Sequence, residues 1–278
     1  MPSADAIPVP FAPWEIAKIE ERRQAAVCSD LADECIDWAG GVAAFGGVGS
    51  WLNQAINGAM SGPVSREEVE AICQWFIDRR VEPKILLTTY SHPTLRQVLA
   101  EAGFTVCSLE TLFVTDLTTM DEQQTQLPQG TRIERVDSSD EDQVDAYSRF
   151  AAAIHFGASH AEPHIDSFRR AVRHPRSIAL LLLDDQTNDI VAACGCEGFE
   201  NLGALWGGAV APSHRRRGIQ KALIHERLLL LRQAGMRWAT ISSDPWIGTE
   251  RNALRAGMRP AYTRLEMVRP GEGLVPSP

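Results

Sequence analysis

The amino-acid sequence predicts an α/β (α+β) protein in which one fold is used twice. Aliphatic runs typical of buried strands alternate with amphipathic helical segments along most of the chain. A unit of strand, Pro, helix, strand, helix, Gly and strand occurs twice, and residues 63–103 of the first copy correspond to residues 212–257 of the second. The 278 residues also amount to about twice the commonest domain size. These observations favour a duplicated fold over one large domain.

The first half carries the shorter version of the repeat. Its predicted elements are a strand-like run at 51–60, a helix at 65–80, a strand at 84–88, a helix at 94–102 and a strand at 104–114. Ser65 is a suitable N-cap with Glu68 in the capping-box position, and Gly103 ends the later helix. The Gly-rich stretch 40–49 lies where the opening strands would be, so we expect these strands to be lost or shortened.

The second half carries the complete repeat. Its predicted elements are strands at 131–136, 178–183, 190–196, 204–210, 238–242 and 262–268, and helices at 140–156, from Pro163, at 218–234 and at 249–256. Gly235 and Gly257 follow the last two helices as C-caps. The predicted order is β-α-α-β-β-β-α-β-α-β.

A polar segment at 118–130, with Pro128 and Gly130, has the composition of a connector between two packed units. We therefore divide the chain into domains at 1–125 and 126–278. Residues 1–125 carry 8 Lys+Arg against 18 Asp+Glu, a net charge of -10, and residues 126–278 carry 19 against 18, a net charge of +1. The acidic excess thus belongs to the first half.

Composition excludes several classes of function. The net charge of -9 argues against a nucleic-acid-binding protein, and no run of about 20 apolar residues that could span a membrane is present. The N-terminus lacks the basic and apolar regions of a secretory signal, so we expect a cytoplasmic protein. The six cysteines show no C-x-x-C pair, and although Cys194 and Cys196 would share one face of a strand, no metal-finger partner follows, so we expect reduced thiols and no metal.

The most informative motif follows the strand at 204–210, where a basic turn leads into a helix that starts at a glycine. Its residues are Val210, Arg215, Arg216, Arg217, Gly218, Ile219, Gln220 and Lys221. The first N–H groups of a helix have no intrahelical acceptor and carry partial positive charge, and Gly218 lets a phosphate approach the backbone. The segment is therefore predicted to bind an anion, although its spacing matches neither an ATP-binding nor a dinucleotide-binding motif.

At these residues the chain resembles the GNAT superfamily of acyl-CoA-dependent N-acyltransferases, whose pyrophosphate loop runs (Arg/Gln)-x-x-Gly-x-(Gly/Ala). Arg215 and Gly218 match this pattern and Gln220 departs from it. The resemblance covers about 131–269 and includes the order of elements. It implies acetyl-CoA as co-substrate, and two GNAT-like domains that are each a mixed, mostly antiparallel sheet flanked by helices.

A second stretch, 243–258, looks like the closing helix of that family. The resemblance would bring Asn252 and Thr249 beside the pantetheine arm, whereas an exposed helix face is the alternative for Asn252. Many members carry a tyrosine four residues before the final glycine, where it protonates the departing thiolate. This chain has Ala253 there.

The reaction needs a deprotonated amine, a polarised thioester carbonyl and a proton for the CoA sulfur. By resemblance, a backbone N–H near 208–210 would polarise the thioester. The candidate bases are Glu197 and Glu200 after the preceding strand, together with three histidines: His155, His160 and His164. Tyr262 on the last strand is a candidate acid, with a packed tyrosine as the alternative.

The first half lacks the anion-binding loop. Its corresponding segment offers Glu67 and Glu68 to the helix N-terminus, where they would repel a pyrophosphate. We therefore expect 1–125 to be a degenerate GNAT-like domain that binds no CoA, packs against the catalytic domain and shapes the acceptor cleft.

These observations predict an N-acetyltransferase that transfers the acetyl group of acetyl-CoA to a primary amine of a small molecule or peptide by direct attack in a ternary complex. The alternative is a CoA-binding sensor or scaffold without turnover, which the alanine at 253 and the absence of an evident base would favour. The arginines of the loop could instead contact nucleic acid, but the acidic first half disfavours this. The sequence leaves the oligomeric state open.

Overall fold

The computed structural model describes residues 11–120 and 125–278. The elements of the first half are α1 (Pro13–Leu31), β1 (Glu34–Trp38), β2 (Gly41–Phe45), β3 (Gln54–Ile56), α2 (Arg66–Ile77), β4 (Lys84–Thr88), α3 (Pro93–Glu101) and β5 (Thr105–Asp116). Residues 121–124, within the predicted connector, and residues 1–10, within the N-terminus that lacks the features of a secretory signal, lie outside the described residues.

The second half contains β6 (Thr131–Arg135), α4 (Glu141–Phe156), α5 (Glu162–Arg173), β7 (Ser177–Asp184), β8 (Ile190–Phe199), β9 (Leu202–Val210), α6 (Ile219–Gln233), β10 (Trp238–Ser243), α7 (Gly248–Arg255) and β11 (Arg259–Val268). These elements follow the predicted order. The α/β class and the tandem arrangement predicted from the sequence are confirmed.

All of these strands belong to one sheet, in the order β1-β2-β3-β4-β11-β5-β10-β9-β8-β7-β6. The two halves exchange their last strands. β5 of the first half pairs with β10 of the second, and β11 of the second half lies between β4 and β5. Most pairs are antiparallel, whereas β3 with β4 and β9 with β10 are parallel. The halves are therefore joined through the middle of the sheet.

The opening strands of the first half are shortened and not lost. β1 and β2 form a hairpin of five residues each, within and beside the Gly-rich stretch. At Gly41 a Cβ atom would come within 2.0 Å of the carbonyl oxygen of Ile56, so only glycine fits against β3 there. The strand-like run at 51–60 reduces to three residues because Asn57 and Ala59 take positive φ angles.

Helix α1 is the element that the sequence did not predict. It lies across both halves, because Ile16 packs with Val114 and Trp238, whereas its later turn packs on β2, β3 and β4 of the first half. Its buried face also carries Glu20, Glu21 and Arg23. These charges interrupt the apolar periodicity by which an amphipathic helix is recognised.

The described part of the chain contains neither a membrane-spanning helix nor a cluster of metal ligands. None of its helices is long and apolar enough to cross a bilayer. No group of three or more His, Cys, Asp or Glu side chains could hold a metal ion. Cys194 and Cys196 on β8 are buried free thiols, and burial raises the pKa of both.

Candidate functional site

The basic turn forms an exposed anion-binding loop at the start of α6. Gly218 is the residue before the helix and has a φ of 80°, a left-handed conformation that favours glycine. A Cβ atom there would meet no other atom within 4 Å, so a ligand can approach this backbone. No side chain caps the first turn, and the arginines at 215–217 are exposed around it. The free N–H groups and the nearby cations favour an anion.

Beside this loop, β9 and β10 separate. Their pairing runs from Leu202 and Trp238 to Leu205 and Ile241, and β9 then continues to Val210 along β8 alone. Gly207 has a φ of 59° where the register between β8 and β9 shifts. Because the pairing with β10 ends at Leu205, the β9 backbone beyond it, including this bulge, has no β10 partner, and Gly208 lies beside Gln220 in the first turn of α6.

The opening leads into a cavity of about 420 Å³ that both halves of the chain line. The second half contributes the β9 bulge, Gln220 and Arg227 of α6, and Thr249 of α7. The first half contributes α1, Lys84 of β4 and Glu110 of β5. The exchanged strands bring these side chains together, so the cavity depends on both halves.

The structure places the predicted binding residues in three positions: the cavity lining, its entrance and the outer part of α7. Gln220 and Thr249 line the cavity, and the amide of Gln220 lies against Gly208, where a Cβ atom would be 3.0 Å from its Nε2. The other loop residues surround the entrance, and the guanidinium of Arg215 donates to the carbonyl of Val210 at 3.3 Å. Asn252 lies on α7 and is half-buried outside the cavity lining.

Of the predicted carboxylate candidates, Glu197 reaches the cavity, and it is ion-paired there. Its carboxylate accepts from the guanidinium of Arg23 on α1, and both side chains are buried. Glu200 lies at the turn after β8, where it is exposed and pairs with Arg22 at 3.0 Å. Neither carboxylate is without a cationic partner.

Tyr262 is a packed tyrosine in the described structure. Its hydroxyl donates to Glu21 at 2.7 Å, and the ring is buried outside the cavity lining. Burial raises its pKa well above the ordinary value of 10.0, and the neighbouring Glu21 carboxylate acts in the same direction. The hydroxyl therefore remains protonated at physiological pH.

Among the candidate histidines, His155 is the one that lines the cavity. Its ring stacks on Phe168, with centroids 5.8 Å apart, and lies at the exposed side of the site. Protein atoms packed around the ring lower its pKa below 6.5, and this effect exceeds that of a hydrogen bond with the Gly207 backbone, which raises it. His164 is buried under Phe156, and His160 is exposed on its turn.

Sequence reasoning missed the charged groups that wall the cavity. The buried guanidinium of Arg23 pairs with Glu20, and that of Arg264 pairs with Glu21, both on α1. Glu110 of β5 also accepts from Arg264, at 3.2 Å. The sequence signal that could have revealed α1 is the group of charged residues Glu20, Glu21 and Arg23, if they are interpreted as a polar strip along one face of a helix. Their partners come from distant strands and carry no local signal.

Three comparisons relate this architecture to known proteins. Residues 143–245 match the model of the acetyltransferase (GNAT) family. A GCN5-related N-acetyltransferase from Kribbella flavida is 20% identical and has a TM-score of 0.65, over 90% of this chain and 96% of that one. No curated protein matches the sequence significantly.

Two further structures share the fold over nearly the whole chain. A tandem GNAT protein from the clavulanic acid biosynthesis pathway is 12% identical with a TM-score of 0.61, over 95% of this chain and 99% of that one. An acetyltransferase of the GNAT family from Novosphingobium aromaticivorans is 13% identical with a TM-score of 0.55, over 91% and 97%. The chain therefore contains an acetyltransferase domain of the GNAT family, over residues 143–245, within a tandem GNAT-like fold.

Proposed function

We propose that the protein is an N-acetyltransferase that transfers the acetyl group of acetyl-CoA to a primary amine of a small molecule or peptide. The observation that carries the proposal is the continuity between the anion-binding loop, the opening between β9 and β10, and the cavity that both halves line. A CoA thioester needs these three parts in this order, because its pyrophosphate is anionic, its arm is narrow and its acyl group must meet the acceptor away from bulk water.

In this proposal the pyrophosphate contacts the loop from Arg215 to Lys221 and the first N–H groups of α6. The pantetheine arm then enters between β9 and β10 beside Thr249, which lines the cavity, and Asn252 lies further along α7. Backbone N–H groups around Gly208 polarise the thioester carbonyl, since the β9 bulge turns this segment away from a partner strand. The arrangement leaves the inner cavity for the acceptor amine.

His155 is the best supported base for direct attack in a ternary complex. Its lowered pKa keeps the imidazole neutral at pH 7, and a neutral ring has one nitrogen that accepts a proton. The amine nitrogen forms a bond to the thioester carbon, its proton passes to His155, and the carbon–sulfur bond breaks with the electron pair on sulfur. Glu197 is less suited to this role because its carboxylate is paired with Arg23.

The first half is proposed to be a degenerate copy, in domain 1–125, that binds no CoA and shapes the acceptor side of the cavity. At the start of α2, Ser65 and Glu68 form a reciprocal capping box, so side chains of the helix itself satisfy its N-terminal N–H groups. The backbone N–H of Glu67 lowers the pKa of the Glu67 carboxyl, so this end of the helix keeps a negative charge. A pyrophosphate would be repelled from this end.

The alternative is a CoA-binding sensor or scaffold without turnover. One observation favours it: Ala253 is fully buried in the core at the position where a tyrosine acid is common in the resembling family. Loss of the thioester, followed across a panel of small amines and peptides, separates the two functions. Binding of acetyl-CoA without amine-dependent consumption would leave only the sensor.

The direct test is calorimetric titration of the purified protein with acetyl-CoA. Gly218→Glu puts a carboxylate at the start of α6 and should weaken binding by about 100-fold, equivalent to about 2.7 kcal/mol. Gly235→Glu is the matched control, because Gly235 has nearly the same φ and the same open surroundings at the other end of α6. Equal affinities in both variants, or no binding by the unaltered protein, would refute the proposal.

A further inference from the structure

Arg227 is a buried arginine on α6 that has no part in binding the pyrophosphate or in the transfer of the amine proton. It is 1% exposed on the sheet side of α6. Its Nε donates to the carbonyl of Leu223 at 3.0 Å, and its Nη1 donates to the carbonyls of Gly195 and Trp206 at 3.1 and 3.2 Å. Its Nη2 is buried without a partner in the described structure. A buried guanidinium N–H without an acceptor is costly, so this group points to a missing partner.

The charge of Arg227 is also uncompensated. The other arginines and the lysine that line the cavity are ion-paired: Arg23 with Glu20 and Glu197, Lys84 with Glu266, and Arg264 with Glu21 and Glu110. Among the described residues, no carboxylate oxygen lies within 4.0 Å of the Arg227 guanidinium. A buried charge without a counter-charge is strongly unfavourable in the folded protein. A negative charge that arrives with the ligand would compensate it.

This cation lies beneath the part of β9 that faces the opening. A Cβ atom on Gly208 would be 3.8 Å from Nη2 of Arg227 and 3.0 Å from Nε2 of Gln220. Arg227, Gln220 and Gly208 all line the cavity. Negative charge that develops on a thioester held in the opening would therefore form next to a buried guanidinium, where screening by water is weak and the electrostatic effect is large.

We propose that Arg227 stabilises the departing CoA thiolate, with the amide of Gln220 as the donor nearest to the sulfur. The inference rests on the proposed acetyl transfer and deepens it. Ala253 has no proton to give, and an arginine is not deprotonated in proteins, so the sulfur leaves as an anion. The carbon–sulfur bond breaks with both electrons on sulfur, the proton of the amine goes to His155, and the thiolate takes a proton from water after release.

The consequence is a shifted ionisation of bound CoA. A thiol beside an uncompensated cation ionises at lower pH than a free thiol, whose ordinary pKa is about 8.5 for cysteine. The affinity for CoA should therefore rise with pH, by up to about tenfold for each unit by which the thiol pKa is lowered. Desulfo-CoA lacks the thiol, so its affinity should not show this rise.

The experiment compares CoA and desulfo-CoA by calorimetry with the unaltered protein, at several values between about pH 6.5 and about pH 9, a range that includes the ordinary thiol pKa. A ratio of affinities that grows by about tenfold or more in favour of CoA supports the inference. Parallel pH profiles overturn it while leaving the proposed function intact. Failure of both ligands to bind refutes the proposed function, and the inference falls with it.

Two variants separate the charge from a merely structural role. Arg227→Met should remove the pH-dependent preference for CoA and lower kcat while desulfo-CoA still binds, whereas Arg227→Lys should retain part of the preference. Arg232→Met, on the same helix and bonded to the carbonyl of Met120, is the control and should behave like the unaltered protein. If Arg227→Met weakens both ligands equally and the preference persists, Arg227 only supports the fold and the inference is wrong.

Discussion

The guanidinium of Arg23 on α1 donates a hydrogen bond to the carboxylate of Glu197 on β8, and the exposed fractions of the two side chains are only 8% and 4%. Helix α1 of the first half thus holds a carboxylate of the second half in the wall of the cavity. The same guanidinium bonds Glu20, so the three groups form one buried cluster. This contact explains why the candidate carboxylate in the cavity is not free to act as a base.

Removal of Arg23 should destabilise the protein far more than removal of its neighbour. Arg23→Met leaves Glu197 buried without its cation and leaves Glu20 with the more distant guanidinium of Arg264, at 4.0 Å, so it should cost about 3–5 kcal/mol. Glu197→Gln should cost about 1–3 kcal/mol because Arg23 keeps Glu20. Arg22→Met removes an exposed pair with Glu200 and should cost no more than about 1 kcal/mol. Urea unfolding measures all three, and equal effects of the two arginines would contradict the buried cluster.

His155 should determine the acid limb of the pH dependence. Because its pKa is lowered below 6.5, the ring loses its proton at a lower pH than an ordinary histidine. The value of kcat/KM should therefore rise with pH below 6.5 and be level near pH 7. His155→Gln should lower kcat/KM by about 10²–10⁴-fold. His160→Gln, at an exposed histidine, is the control, and an acid limb that stays unchanged in His155→Gln would exclude this base.

Tyr262 should matter for stability and not for proton transfer. Tyr262→Phe removes a donor to the buried carboxylate of Glu21, which keeps its bonds to Arg264, and should cost about 1–3 kcal/mol. Because the hydroxyl lies outside the cavity lining and its pKa is well above 10.0, kcat should stay within about threefold, less than the contribution of a general acid. Thermal unfolding checks the loss of stability and steady-state kinetics checks kcat. A hundredfold fall in kcat would show that Tyr262 takes part in proton transfer.

The two halves should not fold separately. A fragment of residues 126–278 would leave β10 without β5 and β11 without either neighbour, and would expose the faces that α1 covers. Such unpaired strand edges favour aggregation. We expect this fragment to be unfolded or aggregated alone and to form a complex when co-expressed with 1–125. A monomeric fragment that unfolds cooperatively and binds CoA would show instead that 126–278 is an independent domain.

Much of the local structure could be predicted because its causes are local. The capping box of Ser65 and Glu68, the buried strand β4 and the glycine before α6 lie where the sequence indicates them. The anion-binding loop was predictable for the same reason, since a helix N-terminus, a glycine and three arginines are adjacent in the chain. Helix α1 was missed because the charges on its buried face hide its period.

The acid and base residues were harder to predict because their roles depend on surroundings. Glu197, Glu200 and Tyr262 are suitable residue types, yet their availability depends on Arg23, Arg22 and Glu21, which lie more than 170 positions away. His155 was one of three histidines with equal claims until the structure brought it beside the β9 bulge. The buried guanidinium of Arg227 gave no signal, because an arginine in a helix is usually exposed.

By itself, the sequence determined the repeat, the order of elements and the loop that precedes α6, because hydrophobic periodicity, capping and glycine conformation act over a few residues. Only the tertiary structure decided the exchange of β5 and β11 and the charges that meet in the cavity. Alternation along a strand shows which face is buried but does not specify the neighbouring strand, and ion pairs form between groups that the chain brings together only on folding.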